Sequence, residues 1–461
     1  MTRLLVANDF IEDQAFVADA RLKKTGWWAQ RMVWFARDGD VLVMTTRPED
    51  AYLDYVTSLT GTRLATLRVV VPPPGRLGSG VLTADRLADA GFRARLRAEL
   101  DGRAVDQVLS LHPDPAVVDL ARFLGAEHAL AGHGFIAQGG GSLANSKVVF
   151  RAIAGGVGVP LPDGGVCGTR PGAEELITTM LADGPLMLKH DLRSGGRGNE
   201  VLSPVPGVDP VGAQRTVVLP DRAAVREYLA ERWDWLTGHG QGRFVVERYF
   251  PGSQAVFAEF SLTDDGITFA GQGEMVSAPM AKAEIIPAPG LKPDTVAALL
   301  EGGEQLCRPL HAMGYRGLLS ADAIVTPDQE LYFTEYNGRI TGSTHIYEIV
   351  GRHIVGPDYA ENRVLLEIDG WQVPSFQEGV DLLRTSGLGY DRTTRTGVML
   401  VMAFNPSVDS IRYVVVARNL DSAYEQAREL EALTGTSPDS PAPDRTSSPP
   451  PPPPSGSERR A

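Results

Sequence analysis

The stretch that most constrains this chain is residues 317–339, GLLSADAIVTPDQELYFTEYNGR. Residues 318–325 are apolar and β-prone, Pro327, Asp328 and Gln329 supply turn chemistry, and residues 331–336 form a second strand. With the turn centred between Asp328 and Gln329, Asp322 lies opposite Glu335, their Cβ atoms about 5 Å apart on one face. Side chains alternate along a strand, so Asn337 shares that face and Tyr336 points away. Two carboxylates and an amide oxygen crowded together repel unless a cation lies among them. Hard oxygen donors from few side chains, with room left for phosphate oxygens, suit Mg2+. The hairpin therefore predicts a nucleotide-handling metal site of Asp322, Glu335 and Asn337. The plainer alternative is two solvated acids on an exposed sheet face, with Asn337 and Gly338 forming only a turn.

Charge narrows the partners. A net charge of -13 argues against nucleic acid and anionic membranes, which need a basic surface to hold them. No apolar run is long enough to span a bilayer, and the first residues lack a signal-peptide pattern, so a cytoplasmic protein is expected. Cys167 and Cys307 are far apart in sequence and support neither a disulfide framework nor a zinc site. Lysine usage says more. Lys and Arg total 44, yet only six are lysine: Lys23, Lys24, Lys147, Lys189, Lys282 and Lys292. A chain so biased to arginine can use it wherever any positive charge serves. Lys147 and Lys189 stand out, because a slim ammonium approaches phosphate where a planar guanidinium does not fit. Taken singly, each also reads as a surface lysine.

Element order predicts an α/β protein in several parts. In residues 1–141, LLVANDF, DVLVMTT, TLRVVVP and DQVLSLH read as buried strands, with helical stretches near 88–100 and 115–124. That alternation predicts an open α/β layer. Gly139, Gly140 and Gly141 mark a boundary. Within residues 142–365, a short amphipathic helix at 146–154 precedes strands at 186–189 and 244–250. A hairpin of 255–262 with 267–274, a helix at 296–313 and the acid-bearing hairpin follow. Residues 366–433 end as strand (397–404), strand (411–417) and helix (422–433). From Thr434 the composition collapses into Pro, Ser, Asp and Gly, with six consecutive prolines at 449–454. Such a segment buries no apolar area, so residues 434–461 are expected to be disordered or polyproline II, a dispensable tail or a ligand for a proline-binding partner.

Further chemistry-bearing pieces lie upstream of the hairpin. Lys189 ends an apolar strand and leads into HDLRSGGRGNEVLS, where Ser194, Gly195, Gly196 and Gly198 make a flexible flap whose N–H groups can close over phosphates. Arg193 and Arg197 add charge there; the bland reading is a plain glycine-rich loop. No Gly-Lys-Ser/Thr and no complete GxGxxG occurs, which removes the P-loop and the dinucleotide fingerprint. Residues 244–252, FVVERYFPG, form an apolar strand carrying Glu247 before a turn.

In order, Lys147 before a small helix, Lys189 with its flap, the Glu247 strand, and Asp322 with Glu335, Asn337 and Arg339 resemble the ATP-grasp superfamily over about residues 1–433. The resemblance implies an N-terminal pre-ATP-grasp domain (1–141), an ATP-grasp domain (142–365) and a small C-terminal α+β lobe (366–433). It implies ATP as cofactor, with Lys147 and Lys189 on its phosphates and the flap above them. Glu247, Arg248, Tyr249 and Phe250 would hold adenine, largely through backbone groups. Asp322, Glu335 and Asn337 would take Mg2+, and Arg339 and Arg197 would steady the transferred phosphoryl group or the substrate carboxylate. One departure concerns the ribose: relatives often place a glutamate just after the hinge, where this chain has Gln254, with Glu259 as a spare candidate.

Members of that superfamily mostly join a carboxylate to an amine through an acylphosphate. The implied partners are a small carboxylic acid and a peptide or amino-acid amine, and a homodimer is allowed. The aromatic stretch of Trp27, Trp28, Gln30, Trp34 and Phe35, the glycine-rich join and the strand–strand–helix ending also look like the peptide ligases of pheganomycin-type biosynthesis, which join a guanidino-bearing acid to a peptide. Core packing is the plainer reading of those aromatics. The rival functions are an amino-acid or dipeptide ligase, a phosphotransferase, and an ATP-binding protein without catalysis.

Overall fold

The computed structural model describes residues 1–9, 26–238 and 242–435. The expected proline-rich tail lies outside the described residues from position 436 onward. Near the N-terminus, β1 (Arg3–Val6), β2 (Val41–Val43), β3 (Arg68–Val70) and β4 (Gln107–Ser110) form a parallel sheet in the order β3-β2-β1-β4. Leu4, Leu5, Val6, Val41, Leu42 and Val43 are buried on both faces, as helical crossovers demand of a parallel sheet. The helix Pro115–Leu124 shows the local logic. Asp114 caps it by accepting from the Ala116 N–H, Pro115 occupies its first turn, and Gly125 closes it at φ +67°.

A second sheet has the order β5-β9-β6-β7-β8, from β5 (Gly164–Cys167), β6 (Leu186–His190), β7 (Asn199–Ser203), β8 (Thr216–Val218) and β9 (Phe244–Arg248). The third has eight strands: β10 (Gln254–Thr263), β11 (Gly266–Ser277), β12 (Ala281–Ile286), β13 (Gly317–Val325), β14 (Leu331–Asn337), β15 (Val364–Gln372), β16 (Gly397–Leu400) and β17 (Ser410–Ala417). Its order is β14-β13-β10-β11-β12-β15-β17-β16, and every neighbouring pair is antiparallel. The final strands extend this sheet through β12 and do not form one of their own.

One face of the large sheet is apolar and carries the helix Pro293–Ala312. Val256, Ala258, Phe260, Leu319, Ala321, Ala323, Phe333 and Tyr336 pack there with Leu299, Leu306 and Leu310. Period-two alternation then sends Ser320 and Asp322 to the opposite face. The helix comes close because Gly302 and Gly303 lie against rings: a Cβ would stand 2.5 Å from Phe333 at the first and 2.5 Å from Phe260 at the second. At the far end the sheet shares a core with the N-terminal layer, where Trp34 and Leu42 join Trp371, Val398 and Tyr413. Trp34 Nε1 donates to Val401 O at 2.8 Å, so Trp34 is core, as the plainer sequence reading held.

Replacing Gly303 with Val should destabilise the protein by about 1–3 kcal/mol, because the added methyls overlap the Phe260 ring. Urea denaturation measures this, and an unchanged midpoint would show that the helix shifts freely.

Candidate active site

The hairpin places Asp322 opposite Glu335, but by a different route from the one the turn suggested. Near the turn, Val325 faces Leu331 and Ala323 faces Phe333, so the turn centres on Asp328. That register alone would carry Glu335 round to the helix-covered face. A bulge between Asp322 and Ala323 intervenes, and Thr334 is the extra residue on β14. Beyond it Asp322 pairs with Glu335 and Ser320 with Asn337, while Phe333 and Tyr336 both reach the apolar core. The bulge also turns the Thr334 carbonyl to accept from Lys189 Nζ at 3.1 Å.

The acids are held by short polar contacts. Ser320 Oγ donates to Asp322 Oδ1 at 2.7 Å, and Asn337 Nδ2 donates to Asp322 Oδ2 at 2.8 Å and to Glu335 Oε1 at 3.4 Å. Burial, then the neighbouring Glu335 charge, pushes the Asp322 carboxyl up to about 8. Burial alone would raise Glu335 too, but Lys147 and Lys189 outweigh it and hold this carboxyl down at about 2. Lys147 meets the Glu335 charge, whereas Asp322 has no ion pair among the described residues. The oxygens of both acids, with the Asn337 amide turned so that its oxygen faces them, fit a hard divalent cation.

Both lysines reach this face from other elements. Ser146 caps the helix Lys147–Val157 by accepting from the Val149 N–H, which places Lys147 in the first turn. Lys147 Nζ pairs with Glu335 Oε2 at 2.9 Å and donates to Arg193 O, at the start of the flap, at 2.7 Å. Lys189, on β6, pairs with Glu247 Oε1 at 2.6 Å. Each lysine is only 6% exposed, which removes the surface reading. Within the flap, Gly195 and Gly196 take φ +64° and +72°, conformations that favour glycine. Gly198 is buried, whereas Ser194 and Arg197 are exposed. The structure does not bring the Arg197 side chain to the acids.

The hinge is partly consumed by the fold. The Arg248 N–H donates to Asp163 O at 2.7 Å and the Tyr249 N–H to Pro185 O at 3.0 Å. Phe250 stacks on Tyr332, with centroids 5.1 Å apart. Glu247 is buried, and its second oxygen takes Arg151 Nη1 at 2.9 Å. Arg151 was missed by sequence reasoning; its signal was the i+4 spacing from Lys147 on one helix. Gln254 Nε2 donates to Glu274 Oε2 at 2.8 Å and Pro289 O at 2.9 Å, so a second missed acid, Glu274, lies beside the expected ribose position. Glu259 is fully buried and accepts from Thr341 Oγ1 at 2.9 Å and Thr344 Oγ1 at 2.8 Å. That places it in the Arg339 loop and away from the hinge.

Arg339 donates through Nη1 to Asn145 Oδ1. Asn337 and Gly338 do turn the chain, the Arg339 N–H donating to Asn337 O at 3.0 Å, but they do more than turn it. The Gly338 N–H donates to Ala144 O at 2.9 Å, and a Cβ on Gly338 would stand 2.7 Å from the Ala144 Cβ and 2.8 Å from its carbonyl oxygen. The glycine permits this close approach, which delivers Arg339 beside the acids.

Residues 29–126 match the family described as the pre-ATP-grasp domain, and residues 379–431 match the PGM1 C-terminal domain. No curated protein matches by sequence. Among solved structures, the chain is similar to a complex of biotin carboxylase from Campylobacter jejuni with β,γ-ATP, with TM-score 0.56 and 15% identity over 93% of this chain and 90% of that one. It is similar to the ADP complex of purK, N5-carboxyaminoimidazole ribonucleotide synthetase, with TM-score 0.55 and 14% identity over 94% and 96%. The biotin carboxylase domain of Hydrogenobacter thermophilus 2-oxoglutarate carboxylase, with MgADP, ADP and bicarbonate, gives TM-score 0.53 and 13% identity over 93% and 89%. At these identities the likeness is one of fold: an α/β chain with the ATP-grasp architecture and a pre-ATP-grasp domain at its N-terminal side.

The raised Asp322 carboxyl makes the metal-free protein sensitive to alkali. Its contribution to stability is full below the unfolded carboxyl value and is lost as pH rises from about 4 to about 8. Asp322→Asn is neutral throughout and should make that decline shallower, leaving the share of Glu259 and Glu284, whose buried carboxyls are raised to about 7 and about 8, in urea denaturation run in chelator; an equally steep fall in the variant would refute the assignment. Gly338→Ala should cost about 1–3 kcal/mol in the same measurement, because the Ala144 backbone must give way.

Proposed function

We propose that the chain is an ATP-dependent ligase that activates a carboxylate as its acylphosphate and joins it to an amine. The observation that carries this reading is the convergence of two buried lysines on the hairpin acids from two other elements. Lys147 and Lys189 would exchange their carboxylate partners for ATP phosphate oxygens, with the flap from Ser194 to Gly198 above them. Asp322, Glu335 and Asn337 would hold Mg2+, which neutralises charge on the transferring phosphoryl group. The Glu247 strand and Phe250 would line the adenine site, with Gln254 and Glu274 near the ribose. Arg339, half-buried and hydrogen-bonded to Asn145, would hold the substrate carboxylate against the γ-phosphate. The acylphosphate must be kept from water until the amine displaces phosphate, a task suited to a flap on glycine hinges.

ADP-bound and Mg-bound structures of like fold support the nucleotide and the metal. Within this reading we take residues 1–141, 142–365 and 366–433 as the working domains. The acid we favour is guanidino-bearing and the amine that of a peptide, as in natural-product biosynthesis; an acidic protein attracts such a cationic acid. The location we favour is cytoplasmic. Among the described residues no helix is long and apolar enough to cross a membrane.

The test is incubation with MgATP and paired acids and amines, followed by product mass and ADP release. Glu335→Gln should abolish ligation while the circular dichroism spectrum stays unchanged; near-normal ADP release by this variant would overturn the metal assignment. Removing residues 434–461 should leave turnover unchanged, and a large drop would assign the tail a role.

A further inference from the structure

Lys147 and Lys189 come from different elements, so the distance between their ammonium groups depends on how the start of the helix Lys147–Val157 is held against the end of β6. The helix body is tied one turn further in, where Arg151 meets Glu247 and Glu247 meets Lys189. Lys147 itself lies in the first turn, where backbone N–H groups have no partner within the helix. Asp191, directly after β6, supplies those partners. Its carbonyl accepts from the Lys147 N–H at 3.3 Å, and its Oδ1 accepts from the Val148 N–H at 2.9 Å and from Ser146 Oγ at 2.7 Å. Ser146 Oγ in turn takes the Val149 N–H at 3.1 Å. Asp191 thus answers the Lys147 and Val148 donors directly and the Val149 donor through the serine.

The contacts of the Lys147 side chain are of another kind. Its Nζ donates to Arg193 O at 2.7 Å and pairs with Glu335 at 2.9 Å, and the ammonium must leave these partners to reach phosphate. The ties to Asp191 use no side-chain atom of Lys147, so they persist through that exchange. Asp191 is half-buried, and Ser146 and Lys147 are buried, which shields these hydrogen bonds from competing water. The Asp191 carboxylate also fills the positive end of the helix, which otherwise draws phosphate to the amides. Phosphate is left to the two ammonium groups, and the same carboxylate sets the separation between them.

Resting on the ligase reading, we infer that Asp191 is a positioning residue for the nucleotide: by pinning the first turn of the helix Lys147–Val157 to the end of β6, it holds Lys147 and Lys189 at the spacing that grips the triphosphate. It touches no phosphate itself. The role needs an acceptor oxygen at one place, which an amide supplies as well as a carboxylate.

Two ligands that differ only in their phosphates read this role. A non-hydrolysable ATP analogue with Mg2+ is titrated calorimetrically into the full chain, and adenosine is measured by competition against it. Asp191→Ala should weaken the ATP analogue at least about tenfold and leave adenosine unchanged. Asp191→Asn keeps the acceptor oxygen and should bind the analogue to within about twofold of the native chain. Asp191→Glu keeps the charge but displaces the oxygen by one methylene; it should show the alanine loss, and it decides the matter if the alanine variant fails to fold. Asp221→Ala removes a comparable cap from the helix Arg222–Thr237, where Asp221 accepts from the Ala224 N–H at 2.9 Å, and should leave both affinities as they were. Native-like binding of the analogue by Asp191→Ala or Asp191→Glu, an equal loss for adenosine, or no recovery in Asp191→Asn would overturn the role while the ligase reading stood. Failure of the native chain to bind the analogue would overturn that reading, and this role with it.

Discussion

The architecture of the site turns on charge compensation between elements far apart in sequence. Two acids brought face to face by a hairpin, one buried and one half-buried, and a buried third on the neighbouring sheet are withdrawn from water at a cost that close cations offset. Lys147 meets Glu335 from a helix start, and Lys189 and Arg151 meet Glu247 from a strand and the same helix. Because Lys189 also donates to the Thr334 carbonyl, one ammonium links the five-stranded sheet to the eight-stranded one. Removing Lys147 would leave Glu335 without its ion pair, and removing Lys189 or Arg151 would leave Glu247 with one cation in place of two, so the nucleotide-facing side chains are also part of the fold.

The apolar side of the large sheet makes this possible. Packing of the helix Pro293–Ala312 on Ala321, Ala323 and Phe333 leaves the acids no choice of face. The close seat of that helix on Gly302 and Gly303 keeps the sheet rigid beneath the charges. At the other end, the N-terminal layer is fused to β15, β16 and β17 through a shared core, and Ile340 N–H donates to Leu111 O at 3.0 Å beside Arg339. The α/β layer thereby helps place a residue that the hairpin alone would leave on a loose end.

Much of this was legible in the sequence because strand alternation and lysine scarcity are local signals. The pairing of Asp322 with Glu335 could be read, although the turn centre offered for it was not the real one; bulges leave no mark in a hydrophobic pattern. The Glu247 carboxylate shows the limit differently. As part of a hinge it looked like a carrier of backbone groups, yet its oxygens are ion-paired from two sides. Glu274 and Glu284 were passed over because nothing local separates a carboxylate turned inward on a sheet from a solvated one. Arg197 looked apt by charge but its side chain points to solvent, which only the loop's conformation decides.

The extra residue at Thr334 divides the hairpin into two segments with different rules. On the turn side, pairs such as Val325 with Leu331 answer only to the helix-facing core. On the other side, the pairs answer to the acids and the lysines. Loop length at 326–330 is therefore decoupled from the chemistry so long as its parity is kept, and a lineage could rebuild that turn many times without disturbing the face behind it. A change of one residue at the bulge has no such freedom: it rotates Glu335 and Asn337 away from Asp322 and out of the site, so the active face is specified by a count as much as by the identity of its residues.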